Sequence, residues 1–128
     1  MSGIKVLVVD DEENIRTLVA TLLSTKGHSC AAAADGTQAL DKMTGERFDA
    51  VITDNVMGEM DGFTLTKEIL ERYPGLPVMA MTGYAGDHSA EQAIEAGAQE
   101  FIIKPFSVNE FLIRFDKMMR HHRGRWHC

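Results

Sequence analysis

The sequence predicts an α/β fold, a doubly wound five-stranded parallel sheet with five helices. Two observations support this prediction. Short apolar runs with almost no polar interruption recur along the chain, and such runs are typical of parallel strands buried on both faces. Segments with apolar residues at helical spacing separate these runs, so strands and helices alternate, and each right-handed crossover supplies a helix that covers the sheet. The order of the strands within the sheet does not follow from this pattern.

The first half of the chain contains two strand–helix units and a third strand. Residues 4–9, IKVLVV, form the first apolar run, and residues 12–27 form a helix pattern that closes with Lys26 and Gly27, as helices commonly do. The apolar residues of that pattern are Ile15, Leu18, Val19, Leu22 and Leu23. HSCAAAA is a weak strand, and a short helix is predicted from Gly36 to Thr44, with Gly45 as its stop. AVIT, at residues 50–53, is the third strand.

The second half continues the alternation. GFTLTKEILERYPG, at residues 62–75, has the apolar spacing of a helix, and Pro74 terminates it. PVMAMT, at residues 77–82, is the fourth strand, residues 87–97 form the fourth helix, and EFII is a short fifth strand. These segments complete the count of five strands before the last helix.

The last helix has the clearest pattern. SVNEFLIRFDKMM begins with Ser107 and Glu110 at the spacing of a capping box, in which each residue bonds a free backbone N–H of the other. One face of this predicted helix is apolar. Its residues are Val108, Phe111, Leu112, Phe115, Met118 and Met119.

Length and composition restrict the class of protein. A chain of 128 residues suffices for one domain with a real core. A net charge of -6, from 13 basic and 19 acidic residues, argues against a nucleic-acid-binding surface. No apolar run approaches membrane-spanning length and the first residues lead directly into a strand, so a cytoplasmic location is expected. Cys30 lies in a strand pattern and Cys128 is the last residue, a poor pair for a structural disulfide.

Polar residues follow four of the predicted strands. Asp10, Asp11 and Glu12 follow the first strand, Asp54 the third, Thr82 with Gly83 the fourth, and Lys104 with Pro105 the fifth. Doubly wound folds place their sites at the carboxyl ends of the strands. We therefore expect these residues to share one edge of the sheet.

The chemistry of this set follows from its charge. Asp10, Asp11 and Asp54 would bring three negative charges against the single positive charge of Lys104, and close like charges repel strongly. A dication resolves that conflict, and carboxylate and carbonyl oxygens suit Mg²⁺ rather than zinc. A carboxylate beside a metal, a lysine and a hydroxyl is a plausible phosphoryl acceptor.

Four segments carry a family resemblance. VLVVDDEENIR, VITDNVMGEMDG, MAMTGYAG and FIIKPF resemble, in order and spacing, the motifs of the receiver domain of two-component response regulators. The resemblance covers the chain to about Met119 and implies a flavodoxin-like receiver fold, in a form similar to single-domain chemotaxis regulators. It divides the chain into a receiver domain over residues 1–120 and a basic, His/Arg-rich tail over residues 121–128.

The resemblance also implies a role for each site residue. Asp54 is the phosphoacceptor. Asp10 and Asp11 hold Mg²⁺, with Asp54 and the backbone carbonyl of Val56 as the other protein ligands. Thr82 hydrogen-bonds the phosphoryl oxygen and Lys104 pairs with it.

Switching and partners are implied in the same way. Phe101 matches the aromatic switch position that turns inward as Thr82 moves, and the Lys104–Pro105 bond is expected to be cis. A sensor histidine kinase or phosphotransfer protein supplies the phosphoryl group, and the surface of the fourth helix, fifth strand and fifth helix controls a protein target, with a phosphorylation-dependent homodimer as one form of output. No direct contact with nucleic acid or membrane is expected, and the chain catalyses only its own phosphorylation and dephosphorylation, so it is not a turnover enzyme.

The loop after Asp54 departs from the family pattern. Gly58 occupies a position that is usually proline, which gives the backbone more freedom. Val56 and Tyr84 match positions that influence how water reaches the aspartyl phosphate, and Val56 offers no polar group to orient that water. The resemblance therefore predicts slow self-dephosphorylation.

Simpler interpretations compete with these roles. The acids that follow the first strand could cap the first helix, Thr82 could be only a strand residue and Phe101 only a core residue. Asp61 with Gly62 is interpreted as a helix cap. The tail could be a solvated helix end, a docking segment, a linker, or a chance metal site. The histidines available for such a site are His121, His122 and His127.

Other classes of protein remain open. A phosphatase of the haloacid dehalogenase type also uses an aspartate with Mg²⁺, but it needs Asp-x-Asp where this chain has Asp10-Asp11-Glu12. A receiver-like interaction module that ignores phosphorylation is a further alternative. The chain could also be the receiver fragment of a larger regulator or hybrid kinase.

Overall fold

A computed structural model of the chain describes residues 3–55, 61–83 and 89–126. Strands and helices alternate through the described residues, as the apolar pattern predicts. The elements are β1 (Lys5–Val9), α1 (Glu13–Ser24), β2 (Ser29–Ala33), α2 (Gly36–Gly45), β3 (Ala50–Asp54), α3 (Gly62–Arg72), β4 (Val78–Thr82), α4 (Ser89–Ala96), β5 (Glu100–Ile103) and α5 (Val108–Trp126).

The five strands form one parallel sheet in the order β2-β1-β3-β4-β5. This confirms the predicted fold class and supplies the strand order that the sequence left open. β2 lies on one side of β1 and β3 lies on the other, so the direction in which successive strands are added reverses at β1, and β1 and β3 are neighbours. The carboxyl ends of these two strands therefore lie next to each other, where doubly wound folds carry their sites.

The sheet is buried on both faces, which explains the unbroken apolar runs. On one face, alternate strand residues such as Val8 and Ile52 pack against α1 and α5. On the other face, residues such as Leu7 and Val51 pack against α2 and α3, and a smaller cluster joins Ala80 to α4. Helices therefore cover both sides of every central strand, so most residues of these strands are apolar, and the buried polar residues Thr53, Asp54 and Thr82 lie near their carboxyl ends.

Two apolar residues that were assigned to helix faces are more exposed than predicted. Leu18 of α1 is 40% exposed and Val108 of α5 is 49% exposed, whereas Phe111, Phe115 and Met118 are buried. Val108 lies in the first turn of its helix, one residue after the capping Ser107. Helical spacing alone does not say where along its length a helix contacts the sheet.

Side-chain caps fix the starts of three helices. Asp35 accepts a hydrogen bond from the Gln38 N–H at 2.8 Å, and Asp61 accepts one from the Thr64 N–H at 2.8 Å, which confirms its interpretation as a cap. Ser107 accepts from the Glu110 N–H at 3.0 Å. The carboxylate of Glu110, however, pairs with Arg114, so only the Ser107 half of the predicted capping box is observed.

α5 continues to Trp126, past the end of its apolar pattern at Met119. An ion pair between Arg120 and Asp116, one helical turn apart at 3.2 Å, lies in this extension, and no proline interrupts it. None of the described helices combines the length and apolarity that crossing a membrane requires.

Candidate functional site

The site lies where β1, β3, β4 and β5 end. Asp10 follows β1, Asp54 and Thr82 end β3 and β4, and Lys104 follows β5. Asp10 is 0% exposed, Asp54 5% and Thr82 1%, although all three carry polar side chains. Burial of two carboxylates at one edge is costly unless their charges are compensated.

Lys104 joins the two buried carboxylates. Its Nζ lies 3.0 Å from Asp10 Oδ2 and 3.4 Å from Asp54 Oδ1. Burial opposes the charged form of the ammonium group, but the hydrogen bond to Asp10 and the attraction of both carboxylates outweigh it and raise the pKa of Lys104. The lysine is therefore held as a cation between the two acids.

The backbone around Lys104 fixes where its side chain starts. Its N–H donates to the carbonyl oxygen of Thr82 at 2.6 Å, which ties the end of β5 to the end of β4. The peptide bond between Lys104 and Pro105 is cis, as the family resemblance implies.

A second acidic group lies at the end of β1. One carboxylate oxygen from each of Asp10, Asp11 and Glu12 lies within 4.8 Å of the others, with Asp10 buried and the other two exposed. Asp10 Oδ1 also accepts from the N–H of Glu12 at 2.8 Å, and Arg16 donates to the backbone oxygen of Asp10 at 2.7 Å. Glu12 was not among the predicted ligands, although its position beside two aspartates in the sequence is a usable signal.

The donor set suits Mg²⁺. Its described side-chain donors are carboxylate oxygens, and the buried pair of Asp10 and Asp54 has one ammonium partner in Lys104, so negative charge is in excess. A hard dication with oxygen ligands would balance that charge. Val56, whose carbonyl the resemblance assigns to the metal, lies outside the described residues, as do Gly58 and Tyr84.

The N-cap interpretation of the acids finds limited support. Glu12 is the N-cap residue of α1, and its side chain makes no capping hydrogen bond. Asp10 instead bonds the N–H of Glu12, just before the helix begins. The buried position of Asp10 beside Lys104 needs another explanation than capping.

Phe101 lies on β5, outside the acidic group. Its half-buried ring packs against the small cluster formed by Ala80, Ala93 and Ala98. The guanidinium of Arg114 lies 5.7 Å from the ring centroid, within the range of a cation–π contact. Arg114 also bonds two acids, Glu100 at 3.0 Å and Glu110 at 3.2 Å. Arg114 was not predicted from the sequence, because its spacing of 13 residues from Phe101 matches no helical or strand repeat.

The tail contributes no described side chain to this edge. His121, at the far end of α5, is exposed, and the side chains of residues 122–128 are not described. Cys30 is a free, half-buried thiol on β2.

The fold and this edge of the sheet define a class of protein: a doubly wound α/β domain with buried carboxylates and a lysine beyond the carboxyl ends of its strands. Residues 6–116 match the family model of the response regulator receiver domain. The chain belongs to this family, and the resemblance inferred from its motifs is confirmed.

Individual relatives agree with the family. The transcriptional regulatory protein ZraR of Klebsiella oxytoca is 37% identical over 125 residues, 96% of this chain and 28% of that protein. The chain thus spans little more than a quarter of that curated relative. The solved receiver domain of NtrX from Brucella abortus is 35% identical with a TM-score of 0.85, over 90% of this chain and 98% of that one. The chemotaxis protein CheY4 of Vibrio cholerae is 31% identical with a TM-score of 0.85, over 91% of this chain and 99% of that one.

Proposed function

We propose that the chain is a phosphorylation-activated switch in which Asp54 accepts a phosphoryl group from a phosphohistidine of a sensor histidine kinase or phosphotransfer protein. The observation that supports this most directly is the contact of Lys104 with both buried carboxylates, at 3.0 Å and 3.4 Å. The lysine places a cation beside Asp54, where negative charge would accumulate during phosphoryl transfer.

The transfer needs no oxidant or external base. A carboxylate oxygen of Asp54 attacks phosphorus, a new O–P bond forms, and the P–N bond to the donor imidazole breaks, with its electron pair returning to the ring nitrogen. Lys104 pairs with the transferred group and the hydroxyl of Thr82 donates to one of its oxygens. Mg²⁺, held by Asp10, Asp11, Asp54 and the Val56 carbonyl, would neutralise phosphoryl charge.

The output follows from the same proposal. The phosphorylated chain changes the surface of α4, β5 and α5, with Thr82 and Phe101 as the switch residues, and this surface controls a downstream protein or a homodimer. Phe101 lies in that surface, next to Arg114 of α5. The chain acts in the cytoplasm as a signalling component and modifies only itself, without turnover of a separate substrate.

Intact-protein mass spectrometry tests the proposal. The parent and Asp54→Asn are incubated with acetyl phosphate or phosphoramidate, with Mg²⁺ or with EDTA. We expect one phosphoryl adduct on the parent that requires Mg²⁺, and none on Asp54→Asn. Asp116→Asn is a matched control, because Asp116 lies exposed on α5, where its carboxylate pairs with Arg120 and not with a residue of the site.

The opposite result would support an interaction module. A folded parent without an adduct from either donor would show that the family architecture is present without its chemistry. Turnover of p-nitrophenyl phosphate would instead support the phosphatase alternative.

A further inference from the structure

Asn55 is a buried amide directly after Asp54. Asn55 is only 3% exposed, and neither the carbonyl oxygen nor the NH₂ group of its side chain has a hydrogen-bond partner among the described residues. The hydroxyl of Thr82, a residue that is 1% exposed, also lacks a hydrogen-bond partner among the described residues. Within the described part of the chain, every buried side-chain oxygen or nitrogen that lacks a partner belongs to one of these two residues.

The two residues occupy neighbouring positions at the edge of the sheet. β3 and β4 pair in parallel with Thr53 opposite Ala80 and Asp54 opposite Met81. The N–H of Asn55 continues this ladder by donating to the carbonyl oxygen of Met81 at 3.0 Å. Continuing the same register by one residue places Asn55 opposite Thr82. Neighbouring strands lie about 4.8 Å apart, a distance that an asparagine and a threonine side chain can span together.

Nearby buried hydroxyls have partners. Thr66 of α3, 2% exposed, donates to the backbone oxygen of Gly62 at 2.7 Å, and Thr53 donates to the backbone oxygen of Asp54 at 3.1 Å. A buried polar group without a partner lowers the stability of the folded state. Asn55 and Thr82 therefore cost stability in this state, and a second state of the site in which both are paired would explain their presence.

We propose that Asn55 is a positioning residue for Thr82: its side-chain N–H donates to the Thr82 hydroxyl oxygen when that hydroxyl donates to a phosphoryl oxygen on Asp54. The proposal rests on the proposed function. A hydroxyl has one hydrogen to donate and two lone pairs that accept, so it can make both bonds at once. A donor to its oxygen orients the hydroxyl and strengthens the bond that it makes to phosphate.

Asn55→Leu tests this inference, because leucine has the same number and branching of side-chain heavy atoms as asparagine but makes no hydrogen bond. We expect the variant to melt at a higher temperature than the parent in EDTA, since a buried unpaired amide is removed. At a fixed phosphoramidate concentration with Mg²⁺, we expect its ratio of phosphorylated to unphosphorylated protein to fall about two- to tenfold. This factor corresponds to the net free energy of one hydrogen bond. A purely structural asparagine would change both measurements in the same direction.

Thr66→Val is the matched control. It removes a buried hydroxyl that is already paired, so its melting temperature should fall while its phosphorylation ratio stays at the parent's value. Thr82→Val provides the second test. If Asn55 acts through Thr82, Asn55→Leu should lower the ratio in the parent and leave it unchanged in the Thr82→Val background.

The outcomes are separable. A parent without any adduct overturns the proposed function itself. A parent that is phosphorylated, with an unchanged ratio in Asn55→Leu or an equal loss in the Thr82→Val background, overturns only the role of Asn55. A lower melting temperature in both Asn55→Leu and Asn55→Val would show that the amide supports the fold and would also overturn the inference.

Discussion

Replacement of Lys104 by methionine should destabilise the fold in the absence of divalent cations. The variant keeps most of the aliphatic stem but leaves the buried carboxylates of Asp10 and Asp54 without their ammonium partner. At an effective dielectric constant of about 20, the contacts at 3.0 Å and 3.4 Å each correspond to about 5 kcal/mol of attraction. Desolvation of the lysine and repulsion between the carboxylates offset much of this, and removal of one partner from a buried ion pair typically costs about 3–5 kcal/mol.

We expect a loss of about 3 kcal/mol, the lower end of that range, because 18% of the Lys104 side chain is exposed. For a chain of 128 residues the unfolding entropy is about 0.27 kcal/mol/K, so the melting temperature should fall by about 10 °C. Urea unfolding followed by circular dichroism in EDTA measures the difference. Added Mg²⁺ should reduce it, because a dication beside the same carboxylates replaces the lost positive charge.

Lys5→Met is the matched control. Lys5 pairs with Glu46 on the surface, where both side chains are about 40% exposed, and exposed ion pairs contribute little. Its unfolding midpoint should stay close to that of the parent. Equal midpoints for Lys104→Met and the parent in EDTA would refute the view that Lys104 compensates a buried negative charge.

Two further predictions concern backbone packing and a thiol. Gly62→Ala should destabilise the protein by about 2 kcal/mol or more in thermal melts and reduce Asp54 phosphorylation, because a Cβ there would lie 2.1 Å from the Asp54 carbonyl oxygen. Gly45→Ala is the control. A Cβ at Gly45 meets open space, so this variant should be neutral or slightly stabilising in the same melts. Burial raises the pKa of the Cys30 thiol, so the folded chain carries less thiolate than the unfolded chain below pH 9. The ratio of folded to urea-unfolded iodoacetamide reaction rates at Cys30, followed by peptide mass spectrometry, should therefore rise between pH 8 and pH 10; a constant ratio would mean that access alone limits the reaction.

Local patterns were sufficient to predict the elements of the fold. Apolar runs located all five strands, and the caps Asp61 and Ser107 were visible because a capping side chain bonds a backbone group only a few residues away. Exposure was harder to predict. Leu18 and Val108 fit helical spacing yet lie outside the core, because the depth at which each helix packs depends on residues distant in sequence.

The site, like the fold, was predictable from the sequence only in part. The sequence by itself determined that acids, a hydroxyl and a lysine follow the strands of a parallel α/β fold, because parallel strands must present these ends on one edge. Only the tertiary structure decided that Lys104 contacts both Asp10 and Asp54, since these residues lie 94 and 50 positions away from it in the sequence and the contacts depend on strand order. The unpaired state of Asn55 and Thr82 was also invisible in the sequence, because hydrogen-bond satisfaction belongs to the packed environment of a side chain and not to its residue type.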